Sequence, residues 1–422
     1  MIKRRPVVRP FEVLLGVIIL YSIMPIVSQF FSDFLTTYAY MALILGTVVF
    51  AMTIRGTASL ADSVMVLLPF VLWMILEYLT KDQRLFLWGY SSMLMLAPLM
   101  FGLVLMKESG PKVVRFFAVL LAVACLITMV STIAGSAVYP TASRYLATVE
   151  SSNDPLLRLY NYINLGGYEF VYTVILLYPA VIFAYKQKRL HLFFAIVAAI
   201  LVLALTLSSG YTVAFLLWIA TTASFFFPHN LKKRWVIILL VAVILIVVFF
   251  LPMLSPSIKR LANSIDNEDI AYRLEALAGG TEGIRASEDD RIGLYELSLR
   301  RFLESPFVGS ILGGKGLNGG HSFILDFAAQ YGMIGVVLLI VMYRVIYVRF
   351  FKPFERTPGY GYIFWMFLQP IILSIVNTGM WINVLCWFLP ISITAILQAE
   401  KKEFKLRRDL KKAAEERGIR VK

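Results

Sequence analysis

The chain of 422 residues is 59% hydrophobic and only 16% charged, whereas soluble domains average about 45–50% apolar and about 25% charged residues. Its repeated apolar runs of about 20 residues are typical of helices that cross a bilayer. This composition excludes a large soluble helical protein, which would need a polar exterior. A net charge of +14 can indicate nucleic-acid binding, and the position of the basic residues in the chain decides whether this interpretation holds.

Twelve apolar segments predict an all-α polytopic membrane protein. Their approximate bounds are 11–31, 38–54, 63–80, 85–106, 113–134, 168–185, 190–208, 211–227, 235–254, 321–343, 360–377 and 379–398. The predicted organisation has four parts: spans one to nine in 1–254 with an outer loop at 135–167, an extracytoplasmic loop at 255–320, spans ten to twelve in 321–398, and a basic tail at 399–422.

The basic residues of the short loops predict the orientation. "KRR" at 3–5, "KESGPKVVR", "KQKR" and "KKR" lie on one side of the predicted spans, and Lys and Arg accumulate in cytoplasmic loops. Both termini are therefore predicted to be cytoplasmic and the two large loops to face outward. The tail from 401 onward carries ten basic residues, which would face the anionic inner leaflet. We expect membrane lipid, and not nucleic acid, as the partner of this charge.

A helix is predicted in the large loop at "SEDDRIGLYELSLRRFLESP", 287–306. A serine can cap its start, acidic residues fill the first turn, and Pro306 follows the last turn. Helical spacing places four residues on one face: Arg291, Tyr295, Ser298 and Phe302. An arginine beside a tyrosine suits an anionic, sugar-bearing ligand, and an arginine there suits an ordinary surface ion pair as well.

The stretch "GGKGLNGGHSF", 313–323, delivers one of three histidines after five glycines. We call residues 313–322 the glycine strap. "GSILGGKG" at 309–316 nearly matches a phosphate-binding loop, but Gly316 stands where a hydroxyl should bind magnesium, and no strand precedes it. His321 is either an interfacial anchor or a proton acceptor, since its ordinary pKa is near 6.5.

Asp326 is a second candidate, because an ionisable group within a span is a functional candidate by default. Five residues correspond to about 500° of helical rotation, so Asp326 is predicted to point away from His321. Gln330, four residues further on, is its expected partner.

The loop 135–167 and the residues after it add basic and aromatic side chains. Arg144 and Arg158 lie near four tyrosines, which suits a lipid-linked phosphate with stacked sugars or simple interfacial anchoring. The outer loops have no Asp-x-Asp pair and the histidines are far apart in sequence, so no metal site and no cofactor are predicted.

Residues 290–341, "DRIGLYELSLRRFLESPFVGSILGGKGLNGGHSFILDFAAQYGMIGVVLLIV", resemble the signature region of the O-antigen polymerase and O-antigen ligase superfamily. An arginine opens a helix, a Pro-Phe/Leu-x-Gly step and a glycine-bearing loop follow, and a histidine leads a span with an aromatic-Gly-x-x-Gly step. The layout of about twelve spans, cytoplasmic termini and a large outer loop between spans nine and ten is similar as well.

The resemblance implies a membrane glycosyltransferase of the GT-C type that inverts the anomeric centre without a metal. Its donor would be a glycan on undecaprenyl diphosphate. By match, Arg291 would contact the lipid diphosphate and His321 would orient or deprotonate the acceptor hydroxyl, with Arg158 as a weaker match.

The sequence departs from the family pattern at two positions. Ser209 stands where the family often has an arginine, and Ser322 stands where many members have asparagine. The first departure removes one arginine from the expected diphosphate site. The candidate replacements are Arg144, Arg158, Arg273, Arg285, Arg300 and Arg301, and Tyr295 is a further candidate for substrate binding.

The preferred prediction is a polymerase of lipid-linked repeat units, for a capsular polysaccharide, an exopolysaccharide or an O-antigen, in the plasma or inner membrane of a bacterium. One alternative is a ligase that moves the finished glycan to a lipid or wall acceptor. Another is a transporter of the same lipid-linked glycan, although the sequence shows no paired interrupted spans of the kind common in transporters. A chain-length regulator protein is a further candidate partner.

Overall fold

The computed structural model describes residues 10–34, 111–139, 142–148, 154–236, 293–311, 319–320, 322–377 and 383–397, with isolated positions within 68–76 and 238–271 and at 381. Every regular element in this part of the chain is a helix. The helices in chain order are α1 (Pro10–Ile23), α2 (Pro25–Phe34), α3 (Pro111–Val138), α4 (Ala142–Thr148), α5 (Pro155–Tyr162), α6 (Tyr168–Lys186), α7 (Leu192–Ser209), α8 (Thr212–Ala223), α9 (293–304), α10 (Phe323–Ile346), α11 (Tyr360–Val376) and α12 (383–397).

Several described helices are apolar enough for a membrane. Four have the length and composition to cross one: Lys112–Val138, Tyr168–Lys186, Leu192–Ser209 and Phe323–Phe354. The last continues α10 through the π-helical turn Tyr347–Phe351 and a 3-10 turn. Shorter apolar helices cover Val213–Phe226, Tyr360–Val376 and Val384–Leu397. The chain is therefore a helical, membrane-associated protein.

Helices occupy most of the predicted spans that the structure describes. Helices α3, α6, α7, α8, α10, α11 and α12 lie at the predicted spans 113–134, 168–185, 190–208, 211–227, 321–343, 360–377 and 379–398. The predicted first span is divided into α1 and α2 before Pro25, whose ring nitrogen has no N–H for the helix ladder. The spans predicted at 38–54 and 85–106, and most of 63–80 and 235–254, lie outside the described residues.

The centre of the described bundle is formed by α6 and α11. Helix α6 contacts α7, α8 and α11, and 12 of the 17 residues of α11 are buried. Its polar side chains bond internally, as where the Trp365 indole N–H donates to Thr221 Oγ1 at 3.1 Å. In contrast, α3, α7 and α10 each expose large apolar side chains, as helices that face lipid would.

One end of the bundle, here the basic end, joins the end of α6 to the start of α11. The Lys186 ammonium donates to the carbonyls of Phe225 and Phe227 at 2.6 and 2.7 Å, and the Gln187 amide donates to the carbonyl of Pro358 at 2.7 Å. Lysines and arginines in the segments at this end include Lys186, Lys188, Arg189, Lys232, Lys233, Arg234, Arg344, Arg349, Lys352 and Arg356.

The opposite end, here the strap end, joins the end of α3 to the starts of α6, α8 and α10. The Gly166 N–H donates to Thr132 Oγ1 at 2.8 Å, and the Tyr211 hydroxyl donates to the carbonyl of Ser143 at 3.0 Å. At the start of α10, the Phe323 N–H donates to the carbonyl of Asn377 at 3.0 Å, just beyond α11.

Candidate functional site

Helix α9 lies against the start of α10 and the end of α11. The Ser298 side chain, only 1% exposed, donates its hydroxyl to Asp326 Oδ1 at 2.6 Å. The Tyr295 hydroxyl donates to the carbonyl of Val376 at 2.9 Å. The prediction that Tyr295 and Ser298 share one face is confirmed, and so is the end of this helix just before Pro306.

The last residues of the glycine strap lie directly on the backbone of α9. A Cβ atom on Gly319 would fall 2.0 Å from the carbonyl oxygen of Leu294 and 3.0 Å from its Cα. The Gly319 N–H donates to Ser298 Oγ at 2.9 Å. Only a residue without a side chain permits this approach. The segment that leads to His321 therefore meets α9 three residues after Arg291 in the sequence.

The carboxylate of Asp326 gathers three donors, an arrangement we call the Asp326 clamp. Oδ1 accepts from the Ser298 hydroxyl at 2.6 Å and from the Gly320 N–H at 3.2 Å, and Oδ2 accepts from the Ser322 N–H at 3.2 Å. Hydrogen bonds to a carboxylate are stronger than neutral ones. The clamp holds the backbone N–H groups of the two residues that flank His321 and ties both to α9.

Asp326 was predicted to point away from His321 on a shared helix, but residue 321 lies outside the described residues and α10 begins only at Phe323. The structure shows the Asp326 carboxylate bonded to the N–H groups of Gly320 and Ser322, on either side of residue 321. The Gln330 amide, the expected partner of Asp326, donates to the Tyr331 hydroxyl at 2.9 Å.

Ser322, whose role the sequence left open, is the N-cap of α10. Its Oγ accepts from the Leu325 N–H at 3.2 Å, while its own N–H is bonded by Asp326. This reciprocal arrangement resembles a capping box, with the acidic residue one position further into the helix. A serine before an apolar run, followed by an acid within one turn, was the sequence signal for it.

Helix α10 is interrupted at Gly332. The backbone there has φ 61° and ψ −152°, a region essentially restricted to glycine. The N–H of Met333 donates to the carbonyl of Pro306 at 2.7 Å, and the N–H of Ser310 donates to the carbonyl of Gln330 at 2.9 Å. The turn that follows α9 thus satisfies the backbone groups that the interruption leaves free, as a buried helix end requires.

The turn and the interruption approach each other through two glycines. A Cβ on Gly309 would lie 2.4 Å from the carbonyl oxygen of Gln330, and one on Gly332 would lie 2.5 Å from the carbonyl of Phe307. Both glycines also have positive φ. Helix α9 is consequently fixed to α10 at its end as well as along its buried face.

The side chains predicted to do the chemistry lie largely outside the described residues. These are Arg291, His321, Arg273 and Arg285. Arg144 belongs to α4, but its side chain is also outside the described set. The structure describes the residues that follow Arg291, from Gly293 onward, and those on either side of His321, and it places Gly319 against Leu294.

The described candidate arginines have different surroundings. Arg300 pairs with Glu296 at 3.3 Å, and both side chains are about two-thirds exposed, so the pair contributes little to stability. Arg301 is half-buried on the same helix, and Arg158 is exposed on α5. Ser209, at the position of the expected family arginine, is buried and donates to the carbonyl of Leu205 at 2.6 Å.

Aromatic side chains form a cluster at the strap end. The Tyr168 ring lies 4.8 Å from that of Tyr172 and 5.5 Å from that of Tyr211, and Trp381 lies 5.5 Å from Tyr172. Tyr168, one of the four tyrosines near Arg144 and Arg158 for which the sequence left sugar stacking and interfacial anchoring open, lies in this cluster.

Asp154 caps the start of α5 and contacts α4. The carboxylate of Asp154 accepts the N–H groups of Leu156 and Leu157 as the N-cap of α5, and it accepts the Tyr145 hydroxyl at 2.8 Å. The Tyr145 hydrogen bond, followed by that from Leu157, lowers the pKa of the Asp154 carboxyl from 3.8.

Among the described residues, no three His, Cys, Asp or Glu side chains gather as a metal site would require. No profile of a known protein family matches the sequence, and no curated protein matches it.

Proposed function

We propose that the protein is a membrane glycosyltransferase that polymerises lipid-linked oligosaccharide repeat units. In this proposal the chain crosses the plasma or inner membrane of a bacterium twelve times, with both termini cytoplasmic. The strap end faces outward, and a glycan on undecaprenyl diphosphate binds there. A chain-length regulator protein is a candidate partner.

The observation that carries the proposal is the contact between Gly319 and Leu294. Residue 291 is three positions from one partner of this contact, and residue 321 is two positions from the other. Residues 291 and 321 are 30 positions apart in the sequence, and the backbone segments next to them touch. A diphosphate-binding arginine and an acceptor-binding histidine need this kind of proximity.

The reaction follows from the ordinary chemistry of these two groups. The acceptor hydroxyl oxygen attacks the anomeric carbon, and the bond between that carbon and the diphosphate oxygen breaks. The His321 imidazole takes the hydroxyl proton, since its unperturbed pKa lies near neutrality. The Arg291 guanidinium stabilises the departing diphosphate through paired hydrogen bonds. Attack from the opposite side inverts the configuration.

The distribution of charge supports the orientation. The basic end gathers Lys and Arg from three described segments, 186–189, 232–234 and 344–356, whereas the described strap end has both signs, including Asp154, Glu296, Arg300 and Asp326. Lys and Arg in short loops mark the cytoplasmic side, so the basic end is assigned to the cytoplasm.

The interruption of α10 bears on the transporter alternative, because transporters bind substrate at broken helices near mid-membrane. Gly332 lies near the middle of the predicted span 321–343. The Met333 N–H and the Gln330 carbonyl beside it are bonded by the turn that follows α9, whereas a broken helix that binds substrate offers such backbone groups to the ligand, so the interruption favours a structural role. A ligase would share the chemistry and differ in its acceptor.

The decisive experiment is chain growth by purified protein supplied with lipid-linked repeat units, without ATP and with a chelator present. We expect elongation by the wild-type protein and none by His321→Ala, while His229→Ala, which changes an exposed histidine at the basic end, remains active. Arg291→Lys should be severely impaired, because lysine cannot make the paired contact, and Arg300→Lys should be nearly normal.

The outcomes separate the alternatives. Transport without elongation would favour the transporter, and transfer of a finished glycan to a single acceptor would favour the ligase. Near-normal elongation by His321→Ala would refute the role of this histidine as the base.

A further inference from the structure

The exposed side of α9 is divided into an apolar half and an ionic half. Leu299 and Leu303, one helical turn apart, are 46% and 65% exposed, and Phe307 just beyond the helix is 75% exposed. Glu296 and Arg300 form the exposed ion pair beside them. Such a division along one helix is typical of a helix that lies in a membrane interface.

The apolar half continues into the exposed side of α10. The Ile334 N–H donates to the carbonyl of Phe307 at 3.4 Å, which places Phe307 level with the first residues after the interruption. From there an exposed apolar stripe runs along α10, formed by Met333, Ile334, Val337 and Ile340 at 46–61% exposure.

The exposed apolar stripe on α10 indicates which environment the apolar half of α9 faces. Helix α10 belongs to a segment with the length and composition of a membrane span, so its exposed isoleucine and valine side chains face acyl chains. Phe307 and Leu303 extend this apolar surface from α10 onto α9. No polar residue separates Phe307 from Met333 where the two segments meet. A surface continuous with a lipid-facing one is most simply covered by the same lipid.

We propose that α9 lies in the membrane interface at the strap end, with Leu299, Leu303 and Phe307 in the acyl region of the leaflet and the Glu296–Arg300 pair at the aqueous surface. The partner of this face is the bilayer. This proposal does not depend on glycosyl transfer, because it uses only the exposed side of α9.

The arrangement would also set the depth of the Asp326 clamp. Ser298 lies on the side of α9 that faces away from Glu296 and Arg300, and its hydroxyl bonds to Asp326. Seating the apolar half of α9 in lipid therefore holds the end of the glycine strap at the level of the headgroups.

Nitroxide labels on introduced cysteines test the depth of each position. The background variant is Cys125→Ala, which retains the fully buried Cys386. The amount of nitroxide that this background takes up is measured first. Single cysteines are introduced as Leu303→Cys and Phe307→Cys. The controls are Glu304→Cys, on the ionic side of the same helix, and Val337→Cys, on the stripe of α10.

Each variant is reconstituted into vesicles of phosphatidylethanolamine and phosphatidylglycerol, and collisions of the label with oxygen and with a water-soluble nickel chelate are compared. We expect labels at 303 and 307 to favour oxygen, as at 337, and the label at 304 to favour nickel. Labels at 303 and 307 that favour nickel would place α9 in water. Exclusion of both reagents there would show a covering protein segment, and either result would overturn the proposal.

Discussion

The contact between Gly319 and Leu294 makes a sharp prediction for Gly319→Ala. The new Cβ would lie 2.0 Å from a backbone oxygen of α9, whereas ordinary contacts begin at 3.4 Å, so strap and helix must separate by about 1.4 Å. Overpacking typically costs about 1–3 kcal/mol, and we expect the upper part of this range because the obstacle is backbone. A misplacement of about 1 Å near a reacting centre can reduce rate about 100-fold.

The neighbouring Gly320→Ala is the matched control. Gly320 has φ 75°, but a Cβ there meets no described atom within 4 Å. Its strain of about 1–2 kcal/mol is partly offset by about 0.4–1 kcal/mol from the reduced freedom of the unfolded chain. The net cost is about 0–1.6 kcal/mol, and the backbone contact with α9 remains.

Thermal unfolding in detergent and the elongation assay together check this prediction. Gly319→Ala should lower Tm more than Gly320→Ala and should lose about 100-fold in elongation at temperatures where it is still folded. If Gly319→Ala elongates and unfolds like the wild type, the strap does not rest on α9, and this contact does not bring residues 291 and 321 together.

Three further predictions concern the clamp, the interruption and the α5 cap. Asp326→Asn should lower the free energy of unfolding by about 1–3 kcal/mol, because an amide group replaces an acceptor oxygen and leaves a buried donor unsatisfied. Amide hydrogen exchange of residues 319–322 should become faster, and unchanged exchange would contradict the clamp. Gly332→Ala should lower Tm severely, since a backbone confined to glycine is combined with overlap against Phe307, whereas Gly293→Ala, with no described atom within 4 Å of the new Cβ, should be neutral or stabilising; equal Tm values would refute the reasoning. Because the pKa of Asp154 is lowered from 3.8, its stabilisation is present above that pH and is lost as pH falls through the lower folded pKa; the Tm difference between wild type and Asp154→Ala should therefore shrink in acid, and a constant difference would contradict the capping role.

The sequence predicted the features that depend on local pattern. Apolar length located the helices from Pro111 to Val138 and from Tyr168 to Ser209, and helical spacing placed Tyr295 and Ser298 on one face of α9. Both signals act within a single element, where periodicity and composition determine which side is buried.

The features that the sequence did not predict depend on two segments meeting. The interruption at Gly332 lies in an apolar run that reads as a continuous span, and it is stabilised by carbonyl and N–H groups of residues 306–310, which carry no side-chain signal. The Asp326 clamp was missed because its donors are mainly backbone N–H groups. A glycine in an apolar run either permits a close approach of another backbone segment or has no special role. Only the position of the partner segment distinguishes these two cases.

The two joints of α9 explain why a histidine can follow so glycine-rich a segment. Gly319 permits contact with Leu294, and the clamp then fixes N–H groups on both sides of residue 321. At its other end α9 is tied to α10 beside Gly332. The glycines at these joints stabilise the structure, because the missing side chain lets two backbone segments come close enough to form hydrogen bonds. Under the proposed function, a histidine that acts as a base toward a bulky lipid-linked sugar needs such a fixed position, since its contribution depends on geometry before pKa.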